Sequence, residues 1–241
     1  MADSLTAKPI AHRGLHDAAR GVIENTVSAV IAAIDAGYGI EVDLQVTSDG
    51  DAMVYHDEAL GRLTEGGAQL NTLTAAELRR IPFKSTADRM LSLRDLCDLV
   101  AGRATLLLEL KSRHDGNQQL ARHVADTLCH YSGPVAAMSF DPEQILMLRD
   151  VAPALRCGLV AQRRSGSGAS DPAPGAPAHL RSLLRGRAQF LAYSAKDLPA
   201  AAPLLATALR RPVLAWTVRS EEDRDRVRRW ADQVIFEGFR P

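Results

Sequence analysis

Short apolar runs alternate with stretches of helical periodicity along most of the chain. Pro9, Ile10 and Ala11 open the pattern as a short strand. Val27, Val30, Ile31 and Ile34 then fall at i, i+3, i+4 and i+7, which predicts a helix with Asn25 as its N-cap and Gly37 as its stop. Residues 39–45 alternate strictly, with Ile40, Val42 and Leu44 on one face and Glu41, Asp43 and Gln45 on the other. Further strands are predicted at residues 52–55, 105–110, 135–140, 155–160, 189–193, 213–217 and 233–236. Helical patterns lie between most of them. Thr74 with Glu77 reads as a capping box, Asp141-Pro142 with Gln144 as an N-cap and N1 proline with an N3 partner, and Ser220 with Asp223 as a weaker cap.

This βαβα rhythm predicts a parallel sheet covered by helices, and a (β/α)8 TIM barrel in particular, with a doubly wound open sheet as the alternative. Nine strand candidates compete for eight barrel places. The link around Thr47-Ser48-Asp49-Gly50 is too short for a parallel crossover, so residues 52–55 should return antiparallel and bring His56 back towards the barrel mouth. Residues 57–102 are long for one connection and predict a small insertion over the mouth, within a single domain spanning residues 1–241. Residues 163–177, rich in Ser, Gly, Ala and Pro, read as a loop.

Composition narrows the class without changing the picture. The 241 residues suit one barrel, and 46% apolar content is enough for its core. Lys plus Arg and Asp plus Glu balance at 29 each, which gives no reason to expect nucleic acid as a partner. Cys97, Cys129 and Cys157 have no CxxC spacing and read as small core residues in a reducing compartment. No run is long enough to span a bilayer, and the first eight residues lack a signal-peptide core, so a cytoplasmic location is expected.

The chemistry gathers at strand ends. Glu41 and Asp43 share a face, roughly 6.6 Å apart along the strand. Buried together they need a cation or another partner, and a divalent metal would serve, whereas on a solvated face they need nothing. Glu109 and Lys111 end a run of leucines at the strand end where barrels build sites, as a further ligand and a phosphate contact or as a plain ion pair. Three carboxylates suit Mg²⁺, Ca²⁺ or Mn²⁺ better than Zn²⁺. His12 and His56 each follow a strand run and can serve as base and acid near neutral pH. Arg13 offers a planar fork to phosphate oxygens, and His16 lies near enough to line the same place. Together these parts describe cleavage of a phosphodiester.

The ordered set Ala11-His12-Arg13-Gly14, Glu24-Asn25-Thr26, Glu41-Val42-Asp43, Thr47-Ser48-Asp49-Gly50, His56-Asp57, Glu109-Leu110-Lys111, Ser139-Phe140-Asp141-Pro142 and Trp216-Thr217-Val218 resembles the glycerophosphodiester phosphodiesterase family. The resemblance implies the TIM barrel with an insertion after His56, and Glu41, Asp43 and Glu109 as ligands of Mg²⁺ or Ca²⁺. It implies catalysis by His12 and His56, with Arg13, Lys111 and Trp216 on the substrate and Glu24 nearby. The implied reaction turns a small-molecule glycerophosphodiester into an alcohol and sn-glycerol 3-phosphate, with a cyclic phosphate as the intermediate of one route. Two positions depart from the family pattern. Ile23 stands where many members carry Pro, and Phe236-Glu237-Gly238-Phe239-Arg240-Pro241 replaces a Thr-Asp-x-Pro-like close. Two other readings remain: a related diesterase acting on lysophospholipids or another phosphodiester, and a barrel that binds a phosphate ligand without catalysis. The insertion mixes Arg62, Glu65, Glu77, Arg79 and Arg80 without an apolar face, which favours a soluble substrate.

Overall fold

Strict alternation at residues 39–45 becomes a strand of a closed sheet, because its two faces meet two different environments. The computed structural model describes residues 3–163 and 176–241. Its strands are β1 (Ile10–Ala11), β2 (Gly39–Val46), β3 (Ala52–Val54), β4 (Leu106–Leu110), β5 (Val135–Ser139), β6 (Arg156–Ala161), β7 (Phe190–Ser194), β8 (Val213–Val218) and β9 (Gln233–Phe236). The order β1-β9-β8-β7-β6-β5-β4-β2-β3, with β1 also paired to β2, closes eight parallel strands into a ring. β3 lies outside that ring as the antiparallel partner of β2, so the short link is the hairpin that the spacing requires. The (β/α)8 barrel is therefore the fold, and the doubly wound sheet is excluded by the β1–β2 pairing.

Outward-facing residues of the strands, among them Ile40, Val42, Leu44, Leu106, Leu108 and Leu110, pack under the helices in one continuous core. The helices are α1 (Val27–Asp35), α2 (Ala75–Leu78), α3 (Leu93–Val100), α4 (Gln119–Leu128), α5 (Pro142–Val151), α6 (Ala176–Arg185), α7 (Ala201–Ala208) and α8 (Glu221–Val227). Inward-facing Leu107, Met138, Val160, Phe190, Leu214 and Ile235 fill the barrel, and Leu5 packs with them. Gly158 on β6 makes room for this filling. A Cβ there would lie 2.3 Å from the Phe190 ring. A third cluster, Met53, Tyr55, Leu60, Leu70, Leu78, Phe83 and Met90 among its members, lies between the hairpin and the segment that follows His56. α3 belongs to the helical ring, packing against α1 and α4 and into the main core.

The caps follow local chemistry with two corrections. Thr74 and Glu77 close a capping box, and so do Ser92 and Asp95. Asp141 caps α5 by accepting from the Glu143 backbone N–H, but Gln144 turns away and donates to the Asn117 carbonyl at 2.6 Å. α1 is capped at Thr26, not Asn25, because Asn25 takes a left-handed φ of 59° and its side chain is spent elsewhere. Cys97 and Cys157 are buried as expected, while Cys129 is exposed. Most of the composition-predicted loop at 163–177 lies outside the described residues. No helix among the described residues is long and apolar enough to cross a membrane.

Candidate active site

Parallel register does most of the assembly. Asp43 on β2 stands beside Glu109 on β4, and Glu41 beside Leu107, so the three carboxylates face the barrel interior at one end. One oxygen from each of Glu41, Asp43 and Glu109 lies within 4.8 Å of the others. The three residues are 0%, 1% and 7% exposed, which removes the solvated-face reading. Lys111 follows β4 and places its ammonium 2.6 Å from Glu109 Oε1 and 2.9 Å from Asp43 Oδ1. Arg13 lies in a left-handed turn at φ 58°, its backbone N–H donating to Glu41 Oε2 at 3.0 Å. Its guanidinium reaches Glu24 Oε1 at 2.7 Å and lies 3.2 Å from Asp43 Oδ2. Gly14 is needed next to it. At φ 78°, a Cβ there would approach Ala29 to 2.8 Å.

The charge balance of this cluster leaves room for a further cation. Three buried carboxylates face Lys111 and Arg13, and Glu41 Oε1 is buried with no hydrogen-bond partner. Burial, and then the charges of Asp43 and Glu109, push the Glu41 carboxyl well above its ordinary range. Asp43 goes the other way: despite burial, Lys111 and Arg13 hold it far below. Lys111 is held above its ordinary value by the same carboxylates, against its own burial. An all-oxygen donor set with one uncompensated member fits a hard divalent ion.

The two histidines flank this cluster. His12 Nδ1 lies 2.6 Å from Glu237 Oε2, and its Nε2 lies 3.9 Å from Glu41 Oε2. His56 Nδ1 lies 2.9 Å from Asp57 Oδ1. Arg62 reaches in from the insertion, donating to Asp57 Oδ2 at 2.6 Å and to Glu24 Oε1 at 2.7 Å. A cavity of about 390 Å³ opens here, lined by His56, Lys111, Ser112, Arg113, Asn71 and Gln45 among others. Trp216, near the end of β8, packs edge-on against Phe140 and keeps a buried indole N–H without a partner, but it does not line this cavity.

The structure therefore brings together Glu41, Asp43, Glu109, His12, Arg13, Lys111 and His56, with Glu24 and His16 close by. Arg13 and Lys111 rest on the carboxylates. Sequence reasoning missed several contributors. Asn25 donates from Nδ2 to Asp43 Oδ2 at 2.9 Å, and its place in the Glu24-Asn25 pair was the available signal. Gln45, on the same strand face as Glu41 and Asp43, donates to the His56 carbonyl at 3.0 Å and to that of Asp57. Arg62 gave no local signal, and Glu237 stood out only as part of the departing segment at residues 236–241.

A family model described as the glycerophosphoryl diester phosphodiesterase family matches residues 12–237. A glycerophosphodiester phosphodiesterase of Caldanaerobacter subterraneus is 29% identical over 165 residues, 64% of this chain and 66% of that protein. Glycerophosphodiester phosphodiesterase 1 of Rattus norvegicus is 28% identical over 151 residues, 58% of this chain and 44% of that protein. The chain thus spans about half to two thirds of the length of these curated relatives. A solved phosphodiesterase of Oleispira antarctica, in complex with the product sn-glycerol-3-phosphate, superposes with a TM-score of 0.81 at 18% identity, covering 97% of this chain and 94% of that one.

Proposed function

The chain belongs to the glycerophosphoryl diester phosphodiesterase family, and on that premise we propose that it hydrolyses small-molecule glycerophosphodiesters to an alcohol and sn-glycerol 3-phosphate. The observation that carries the reading is the buried Glu41–Asp43–Glu109 triplet with His12 and His56 beside it. Glu41, Asp43 and Glu109 would hold Mg²⁺ or Ca²⁺, which when bound supplies Lewis-acid polarisation of the phosphoryl oxygens.

The side chains supply the rest. Arg13 and Lys111 exchange their carboxylate contacts for phosphate oxygens and meet the charge that gathers there in the transition state. His12 accepts the proton of the neighbouring glycerol hydroxyl as its oxygen bonds to phosphorus. His56 gives a proton to the alcohol oxygen as its bond to phosphorus breaks. Water then opens the cyclic phosphate with the two roles reversed. Asp57, held by Arg62, meets His56 Nδ1 and fixes the orientation of its ring. The part of residues 57–102 that precedes α3 caps the mouth and carries Arg62 to this place. Trp216 offers an apolar face and a free N–H to the glycerol part.

The test is release of glycerol 3-phosphate from glycerophosphocholine and glycerophosphoethanolamine with Mg²⁺, with Ca²⁺ and with EDTA. Release that needs metal and vanishes in His12→Ala is the expected outcome. No release from either substrate under either metal overturns the reading.

A further inference from the structure

Glu237 belongs to the segment that departs from the family pattern, yet it is built into the site. Ala11 pairs with Phe236 across the β1–β9 seam, and the His12 N–H donates to the Phe236 carbonyl at 2.9 Å. The next residues along, His12 and Glu237, are thereby placed side by side. The Glu237 backbone N–H donates to the Val218 carbonyl at 3.0 Å, which anchors it to the end of β8. Its carboxylate is divided between two partners: Oε1 accepts from Arg219 Nε at 2.6 Å, and Oε2 meets His12 Nδ1 at 2.6 Å. His16 Nε2 lies 3.8 Å from the same Oε2. An ionised carboxylate only accepts, so a neutral His12 bonded to it carries its proton on Nδ1. The lone pair is then left on Nε2, the nitrogen directed towards Glu41.

We propose that Glu237 is a positioning residue for His12, fixing the imidazole as the Nδ1–H tautomer and directing Nε2 at the reacting hydroxyl, with Arg219 holding the carboxylate in place. The role rests on the reading of His12 as the base. When Nε2 takes the hydroxyl proton, the ring becomes an imidazolium whose Nδ1–H remains bonded to Glu237, so the new charge forms beside a fixed carboxylate. Burial raises the Glu237 carboxyl, but the facing imidazoles of His12 and His16 and the Arg219 guanidinium outweigh it and keep it ionised.

Glu237→Gln is the decisive variant because Arg219, a pure donor, claims the amide oxygen. The amide NH₂ then faces Nδ1 and drives the proton to Nε2, the wrong nitrogen for a base. The experiment has two arms. The first reads the His12 ring nitrogens by ¹⁵N NMR, assigned against His12→Gln, at a pH above the imidazole titration. The native protein should show Nδ1–H, Glu237→Gln should show Nε2–H, and Glu237→Ala a mixture. The second measures turnover, where kcat should fall roughly 10- to 100-fold in both variants with KM and melting temperature little changed, the glutamine variant being at least as impaired as the alanine one. A native Nε2–H signal overturns the proposal, as does an active native enzyme whose Glu237→Gln variant keeps its kcat. A native protein that shows Nδ1–H, and loses it in Glu237→Gln, but releases no glycerol 3-phosphate sinks the catalytic reading while leaving the placement of His12 intact.

Discussion

At the scale of single residues, the proposed function separates groups that do chemistry from groups that hold them. His12→Ala and His56→Ala should each lower kcat about 10²- to 10⁴-fold while the thermal midpoint stays near the native value, and steady-state kinetics beside a melting curve checks both halves. Glu41 carries a pH prediction. Its carboxyl is raised in the folded state above its ordinary 4.5, so in EDTA the unfolded chain gives up that proton more readily than the folded one. Stability should therefore fall as pH rises from about 4.5 through the raised value, and Glu41→Gln should abolish that fall. Melting scans in EDTA between mildly acidic and mildly alkaline pH would show it, and a native midpoint that rises over that window would contradict it. The carboxylates and histidines were legible because they recur on one face of a strand, close a run of leucines, or directly follow a strand. Glu237 was not legible, since its partner His12 lies 225 residues away and only the closed seam brings them together. Asn25 was misread for a related reason: a residue with good capping chemistry was recruited by Asp43, and Thr26 took the cap position.

At the scale of elements, local chemistry and layer packing make separate demands. Thr74 and Ser92 each satisfy a backbone N–H at the start of a helix, so Thr74→Ala or Ser92→Ala should cost about 1 kcal/mol in urea denaturation. Gly158 answers to the barrel interior. Gly158→Ala forces a methyl against Phe190, and the expected loss is about 1–3 kcal/mol with no change in metal affinity. The hairpin of β2 and β3 was legible from link length alone, because five residues cannot carry a parallel crossover. The inward turn of Gln144 was not, because its partner is the Asn117 carbonyl on a different loop.

At the scale of the whole molecule, the alternation of strands and helices was enough to read the barrel. The third apolar cluster under residues 57–90 was not readable, since its members are scattered from Ile23 to Met90 and share no single period. A divalent ion that binds only the folded ring should raise its stability with concentration, by about 2.7 kcal/mol at a hundred times the dissociation constant, and calorimetry against Mg²⁺ and Ca²⁺ would measure it. The β1–β9 seam also sets a timetable. Ile10 and Ala11 need partners on both sides, and one of those partners is the last strand. On the ribosome, Glu237 follows His12 by an interval on the order of tens of seconds, during which β1 has β2 beside it but no second neighbour. A nascent chain halted before β9 would already carry the three carboxylates and His56, yet its His12 would lack both the Phe236 carbonyl and the Glu237 carboxylate. The last stitch of the ring and the meeting of His12 with Glu237 are thus a single event in the life of each molecule.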